Sequence, residues 1–338
     1  MKPIKIAQIG VGHDHAVCCW ECINKNTDIF ETVGLVPVPD EYQSRLSWKQ
    51  YEGAKLVTVE ELLAMDDLDA VAIETGKEYS VEYAQMFADK GIPVYVDKPG
   101  SADFSRWEKF VTTMKEKQLP LSVGYMYRFN PMVQKALEMK KNGEFGEIFA
   151  VEAQMSVRHD TEKRRWLGRY KGGTLYFLGC HLVDMICQFA GFPDEVIPLS
   201  RKTGNEDVDA EDYGFAVFKY KNGISFCKAC SSELNGFDRR QLVVSGTKAT
   251  IEIRPWEVHV PGGQRTNAKL TVLTDERKHW QDDSEKLETE VYDRYLAMMT
   301  HFAKMVRGEA EMVCSYDYEI ELLRHVIMAC GGTETVMK

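Results

Sequence analysis

The feature that most constrains this chain is the alternation of short apolar strand patterns with amphipathic helix patterns over residues 1–122. Ile4–Ile9 is a mostly apolar run that stops at Gly10, and a helix pattern follows from Asp14 to about Asn24. Val33–Val38 reads as a second strand. Thr58-Val-Glu-Glu61 is a capping box, in which the Thr58 oxygen caps a helix amide while Glu61 reaches back. Ala70–Ile73 is a short buried strand, and Ser80–Lys90 is a helix stopped by Gly91. Ile92–Val96 is another strand, followed by a helix near Ser105–Lys117 and a strand at Leu121–Gly124. Strands separated by helices pair in parallel through right-handed β-α-β units. The expectation is a doubly wound α/β domain.

After residue 122 the rhythm changes. Asn130-Pro131 starts a helix, with Asn as cap and Pro at the first position. Ile148–Val157 is a long strand, and Thr174–Ala190 a helix closed by Gly191. Hairpin signals follow: Asn222-Gly223 joins Tyr213–Tyr220 to Ile224–Ser231, and Gly246-Thr247-Lys248 joins Arg240–Ser245 to Thr250–Arg254. Residues 274–290 read as a polar exposed loop. Helices near Tyr292–Val306 and Tyr316–Cys330 close the chain. Antiparallel strands with segregated helices predict an α+β domain over residues 123–338, whose last helix is expected to pack back between the domains. Length agrees, because 338 residues exceed the roughly 250–300 that one core supports.

A net charge of −10 repels nucleic acid and anionic membranes, so neither is expected as a partner. No apolar run reaches the ~18 residues of a membrane span. The opening MKPIKIAQIG runs straight into a strand pattern without a secretory leader, so the expected location is the cytoplasm. Nine cysteines include two C-x-x-C pairs, Cys19–Cys22 and Cys227–Cys230, too far apart in the chain for a zinc ribbon. They read as buried thiols acting as small hydrophobes, with no metal site expected.

Three motifs carry chemistry. Gly10-Val-Gly12-His13-Asp-His15 follows the first strand and opens a helix, the context in which a turn and a helix N-terminus hold a pyrophosphate. Tyr95-Val-Asp97-Lys98-Pro99 ends a strand, at the sheet edge where open α/β sheets bind ligands. A lysine there can hold a substrate hydroxyl; it can equally be a solvated surface residue. Gly172-Gly173-Thr-Leu-Tyr-Phe177-Leu-Gly179-Cys180-His181-Leu-Val-Asp184 places a histidine in an apolar helix, with Asp184 on the adjoining turn. Such a histidine is a base or a satisfied core residue.

In order and spacing these motifs resemble the glucose–fructose oxidoreductase, inositol dehydrogenase and MocA (Gfo/Idh/MocA) family. The likeness runs through Gly10–His15, Asp97–Pro99, Gly-Tyr-x-x-Arg-Phe-Asn-Pro at Gly124–Pro131, the Gly172–Asp184 run, and Gly246-Thr247-Lys248. It implies an N-terminal Rossmann domain binding NAD or NADP. It also implies a C-terminal domain with a large, mostly antiparallel open sheet that binds substrate and assembles homodimers or homotetramers. Implied substrates are sugars, cyclitols and related polyols. Carried over, Gly10, Gly12, His13, His15, Asp40, Thr75 and Lys98 form the cofactor set. Lys98 and His181, with Asp184, form the catalytic set. Tyr127, Arg128, Arg158, Arg165, Trp166 and His181 form the substrate set. Oxidising a secondary alcohol needs a base for the hydroxyl proton, and neutral imidazole suits working pH. A lysine cation nearby would keep it neutral.

Two departures stand out. The family commonly has aspartate four residues before the histidine, where this chain has Phe177; Asp184 is the candidate substitute. The second strand normally ends in an acidic residue for the ribose 2′-hydroxyl, where Val36-Pro37-Val-Pro-Asp40 stands here. Asp40 reaches the ribose or caps the next helix; Arg45 is five residues further, and NAD is the preferred cofactor. Arg158–Lys171 holds Arg158, Lys163, Arg164, Arg165, Arg169 and Lys171 against Asp160 and Glu162. These cations either meet an anionic substrate such as a sugar acid, or pair with the chain's own acidic surface.

The leading expectation is an NAD(P)-dependent dehydrogenase or reductase acting on CH–OH groups. One alternative uses bound NAD transiently, for elimination or glycoside cleavage. Another is a ligand-binding relative whose catalysis is weakened by Phe177.

Overall fold

A computed structural model describes residues 2–39, 43–274 and 283–338. The chain groups into two compact units. One comprises Met1–Tyr125 with Tyr295–Leu323, the other Met126–Arg294 with Arg324–Lys338.

The first unit is built on β1 (Ile4–Ile9), β2 (Phe30–Val36), β3 (Ala70–Ile73), β4 (Val94–Val96) and β5 (Leu121–Val123). All pair in parallel, in the order β2-β1-β3-β4-β5. Every residue of β3 and β4 is buried, as expected of strands covered on both faces. The connections include α1 (Ala16–Lys25), α2 (Val59–Leu63), α3 (Ser80–Lys90) and α4 (Phe104–Glu116). The capping box of α2 forms as read, with the Glu61 amide donating to Thr58 Oγ1 at 3.1 Å and the Thr58 amide to Glu61 Oε2 at 2.7 Å. Strand order reverses between β1 and β3, so the carboxyl ends of those two strands flank a switch point.

The second unit holds α5 (Pro131–Lys141), α6 (Thr161–Leu167), α7 (Thr174–Phe177) and α8 (Cys180–Ala190). Its strands are β6 (Ile148–Gln154), β7 (Glu195–Pro198), β8 (Tyr213–Tyr220), β9 (Gly223–Cys230), β10 (Gln241–Gly246), β11 (Ala249–Ile253), β12 (Val258–Val260), β13 (Gly263–Arg265), β14 (Asn267–Val272) and β15 (Glu285–Glu288). Eight of them form one sheet in the order β15-β14-β11-β10-β6-β9-β8-β7, and β12 pairs with β13 separately. Within the large sheet only β6 and β9 run parallel. Its inward positions alternate along each strand: Ala216 and Phe218, Cys227 and Ala229, Leu242 and Val244, Ile251 and Ile253 are all buried. Helix α8 lies against β6 and β9 and buries nearly its whole length.

The α/β expectation is met: a parallel Rossmann-like sheet, then a larger, mostly antiparallel one. Several local expectations are not. The single helix over Thr174–Ala190 is two, broken at Leu178–Gly179. Gly179 passes so close to Leu175 that a Cβ there would sit 2.7 Å from the Leu175 carbonyl oxygen. Phe177 and His181 therefore lie on separate helices, and the one-turn spacing of a single helix does not by itself relate them. The basic segment is not a bare loop: Asp160 caps α6 by accepting from the Lys163 amide at 2.7 Å. Within 274–290, residues 275–282 lie outside the described part, but Glu285–Glu288 pairs with β14 as a strand. Charged residues are tolerated there because β15 is a sheet edge.

The last two helices are α9 (Leu296–Val306) and α10 (Tyr316–Ala329). Helix α9 and the start of α10 group with the parallel sheet, and the rest of α10 with the second unit. The reason is apolar burial. Met298, Met299, Phe302 and Ala303 are buried, Phe302 packs 6.1 Å from the Tyr95 ring, and Trp107 Nε1 donates to the Glu319 carbonyl at 2.9 Å. Eight of the nine cysteines are buried and Cys18 is half-buried. Among the described residues no helix is long and apolar enough to cross a membrane.

Candidate functional site

In the first unit the candidate cofactor residues gather at the carboxyl edge of the sheet. Gly10 has φ 85°, a left-handed conformation that lets the chain turn directly off β1. Its amide donates to the Val36 carbonyl, and the His13 amide to the Glu74 carbonyl, both at 2.9 Å. The turn is thus pinned to β2 on one side and to the end of β3 on the other. Helix α1 begins immediately after, and His15 at its N-cap position gives it no side-chain cap. That leaves its N-terminal amides suited to an anion such as a pyrophosphate.

Arg45 holds this loop. Its Nη1 donates to the carbonyls of Val11 at 3.0 Å, Gly12 at 3.1 Å and His13 at 2.8 Å, and its Nη2 to Asp14 Oδ1 at 3.0 Å. No sequence pattern signalled this, because the contact spans more than thirty residues and comes from a short 3-10 segment. Asp40 lies outside the described residues.

Behind the loop sits a buried polar cluster. His15 Nδ1 is 3.1 Å from Asp97 Oδ2, and His13 Nδ1 accepts from the His15 amide at 3.2 Å. His13 Nδ1 also lies 3.5 Å from Asp97 and 3.7 Å from Glu74. Lys77 Nζ donates to the Asp97 carbonyl at 2.7 Å. Burial pushes the Asp97 carboxyl up, but His15, Lys77 and Lys98 outweigh it and hold it below the usual range. Burial, reinforced by the Asp97 charge, raises the Glu74 carboxyl well above that range. The two carboxyls are therefore driven apart, one ionised and one retaining its proton. His13, His15 and Asp97 bring potential ligand atoms within 4.8 Å of one another. Lys98 is buried at 1% exposure, contrary to a solvated surface lysine. Thr75 is buried, with its hydroxyl donating to the Gly76 carbonyl at 3.0 Å. Glu74 and Lys77 were not singled out from sequence, although the sheet-edge rule that picked Lys98 applies equally to a residue just after β3.

In the second unit His181 is buried near the start of α8. The Tyr127 ring meets it edge-on, with centroids 4.9 Å apart and planes at 86°. Tyr127 in turn donates to Glu257, which accepts from Arg294 Nε at 2.7 Å and Nη2 at 2.6 Å and from Arg240 Nη1 at 3.3 Å. Glu257, Arg240 and Arg294 carried no recognisable sequence signal. Asp184 accepts a two-point bond from Arg128, Nε to Oδ2 at 2.9 Å and Nη2 to Oδ1 at 2.8 Å. Both side chains are almost fully buried, so these two candidates are committed to each other.

Phe177 packs against the Trp166 ring at 5.2 Å, and the Lys163 ammonium lies over both, 3.9 Å from the Trp166 centroid and 4.5 Å from that of Phe177. The position where an aspartate is common thus serves an aromatic–cation corner. Arg158 pairs with Glu206 at 3.2 Å. Arg164, buried, bonds Glu206, Asp212 at 3.1 Å and the Ser232 hydroxyl at 2.7 Å. Arg165 is exposed.

Comparison with known proteins agrees with this layout. Residues 4–125 match the model of an oxidoreductase family with an NAD-binding Rossmann fold, and residues 133–252 match the GFO/IDH/MocA C-terminal domain. D-xylose 1-dehydrogenase (NADP(+)) 2 of Haloferax volcanii is 29% identical over 168 residues, 49% of this chain and 51% of that protein. The chain thus spans about half the length of that relative. D-xylose 1-dehydrogenase (NADP(+)) of Haloarcula marismortui is 26% identical over 275 residues, 75% of this chain and 73% of that one. The crystal structure of aldose-aldose oxidoreductase from Caulobacter crescentus, complexed with glycerol, shares the fold at a TM-score of 0.75 and 19% identity, covering 99% and 100% of the two chains. Matched through both of its halves, the chain belongs to the Gfo/Idh/MocA family of NAD(P)-dependent oxidoreductases.

Proposed function

We propose that the chain interconverts a secondary alcohol and a ketone on a neutral sugar, cyclitol or related polyol, in the cytoplasm, with NAD preferred over NADP. The observation that carries this reading is the Gly10 turn and the uncapped start of α1 at the switch point of the parallel sheet, with buried Lys98 on the same edge. The first unit serves the dinucleotide; the second serves the substrate and, through its large sheet, assembly into homodimers or homotetramers. The names of the xylose dehydrogenases support a sugar substrate.

Bound dinucleotide supplies a two-electron hydride acceptor. The chain's own residues do the rest. The glycine turn and the positive end of the α1 dipole receive the pyrophosphate. Lys98 donates to the substrate oxygen and favours its developing negative charge. His181 takes the hydroxyl proton, a contribution of about 10²–10⁴-fold. NAD preference is supported by Arg45, whose Nη1 and Nη2 face the loop carbonyls and Asp14. A neutral substrate is supported by Arg158 and Arg164, which face Glu206 and Asp212.

A nicotinamide absorbance screen over sugars, cyclitols and sugar acids with both cofactors tests the reading. Turnover of a neutral polyol with the higher kcat/KM for NAD is expected. A consistent preference for the sugar acid, or no turnover of any of them, would overturn it.

A further inference from the structure

An imidazole that works as a base must be held in one orientation. Three candidate supports for His181 can be weighed within the second unit. Phe177 ends a separate helix and packs with Trp166 and Lys163. Asp184 is engaged by Arg128 through two hydrogen bonds. Tyr127 puts its ring directly against the imidazole, 4.9 Å away at 86°.

Tyr127 is itself braced on two sides. Its ring packs 4.6 Å from Trp256, which is fully buried. Its hydroxyl donates to Glu257 and accepts from Arg240 Nη1 at 3.2 Å. Glu257, 2% exposed, is gripped by the Arg294 fork. A buried carboxylate bracketed by two guanidiniums is a rigid anchor. The phenol that it holds cannot swing without breaking charge-assisted bonds. We propose that Tyr127 is the positioning residue for His181, transmitting the rigidity of the Glu257–Arg240–Arg294 anchor to the imidazole through edge-to-face contact. This deepens the reading of His181 as the base and rests on it.

The brace has a chemical consequence. An aromatic ring orients the imidazole without placing a carboxylate against it. Charged groups in this unit are Glu257 with Arg240 and Arg294, and Asp184 of α8 with Arg128 of the Met126–Phe129 turn.

The test compares Tyr127→Leu, which removes the ring, with Tyr127→Phe, which keeps the ring and releases the hydroxyl. Substrate KM, kcat and the pH profile of kcat are read together with NMR titration of the His181 ring, identified by its loss in His181→Gln. Misplacement of a reacting group by about 1 Å costs up to ~100-fold, so Tyr127→Leu should lower kcat by roughly 10–100-fold with KM little changed. The His181 titration should move, and Tyr127→Phe, which keeps the ring but releases it from the Glu257 anchor, should show a smaller part of both effects. A rise in KM alone would make Tyr127 a substrate contact, and an unmoved titration with normal kcat would make it ordinary core; either overturns the proposal. Should Tyr127→Leu fail to fold, Tyr127→Met serves the same comparison. If His181→Ala retains full activity, the base assignment falls, while the NMR titration still decides whether Tyr127 governs the ring.

Discussion

Replacing Asp184 should damage stability rather than chemistry. The Arg128 and Asp184 side chains are 4% and 0% exposed and joined by two hydrogen bonds, so neither charge has water to fall back on. Removing one partner of such a pair leaves the other charge buried and uncompensated, at a cost of about 3–5 kcal/mol. Asp184→Asn keeps one oxygen to accept from the guanidinium and belongs near the lower figure; Asp184→Ala belongs near the upper. For a unit of ~150–250 residues each kcal/mol shifts the melting temperature by about 2–4 °C, which gives a drop of roughly 6–20 °C. Circular dichroism melting and urea unfolding measure it. Activity assayed well below the lowered Tm should stay within several-fold of the parent. The paired replacement Arg128→Met with Asp184→Leu should return most of the stability, because an apolar pair of similar volume leaves no orphaned charge. The reasoning is refuted if Asp184→Asn melts within about 1 °C of the parent yet loses kcat by more than ~100-fold, since Asp184 would then serve the reacting atoms directly.

Two further outcomes follow from the first unit. Arg45→Gln removes a cation shared by three loop carbonyls and Asp14. It should weaken NADH and NADPH alike by about 10-fold in fluorescence titration, on the order of one charge-assisted bond; loss confined to NADPH would show that Arg45 reads the 2′-phosphate instead. Glu74 is raised well above 4.5 by burial and by Asp97, so the folded state binds the extra proton. Stability contributed there is present below the unfolded value and declines as pH rises through the folded one. Relative to Glu74→Gln, the parent should therefore lose stability in urea as pH rises above about 4.5; a difference that does not change with pH would contradict the raised carboxyl.

Much of this was legible in the sequence because it depends on local rules. The parallel sheet followed from strands that alternate with helices, and the carboxyl edge of that sheet located Gly10, Asp97 and Lys98. The capping box at Thr58 formed as read, and the hairpin between β8 and β9 formed with its turn one residue earlier, at Lys221-Asn222. What stayed hidden depends on distant contacts. Arg45 reaches the Val11–Asp14 loop from a segment without periodicity, and Glu257 meets Tyr127 across 130 residues. The break between α7 and α8 escaped because helical spacing alone does not register a steric approach such as that of Gly179 to Leu175. The basic run before His181 illustrates the limit of charge counting. Six cations in one stretch suggested an anion site, yet Arg158 and Arg164 find carboxylates from another part of the chain.

The central claim is that His181 removes the hydroxyl proton while the first unit holds the dinucleotide. Single-turnover stopped flow at 340 nm, on the parent and on His181→Ala with a polyol from the screen, measures that step alone, with the NADH dissociation constant as control. The account predicts a 10²–10⁴-fold slower appearance of NADH in His181→Ala at unchanged NADH affinity. An unchanged rate would contradict it.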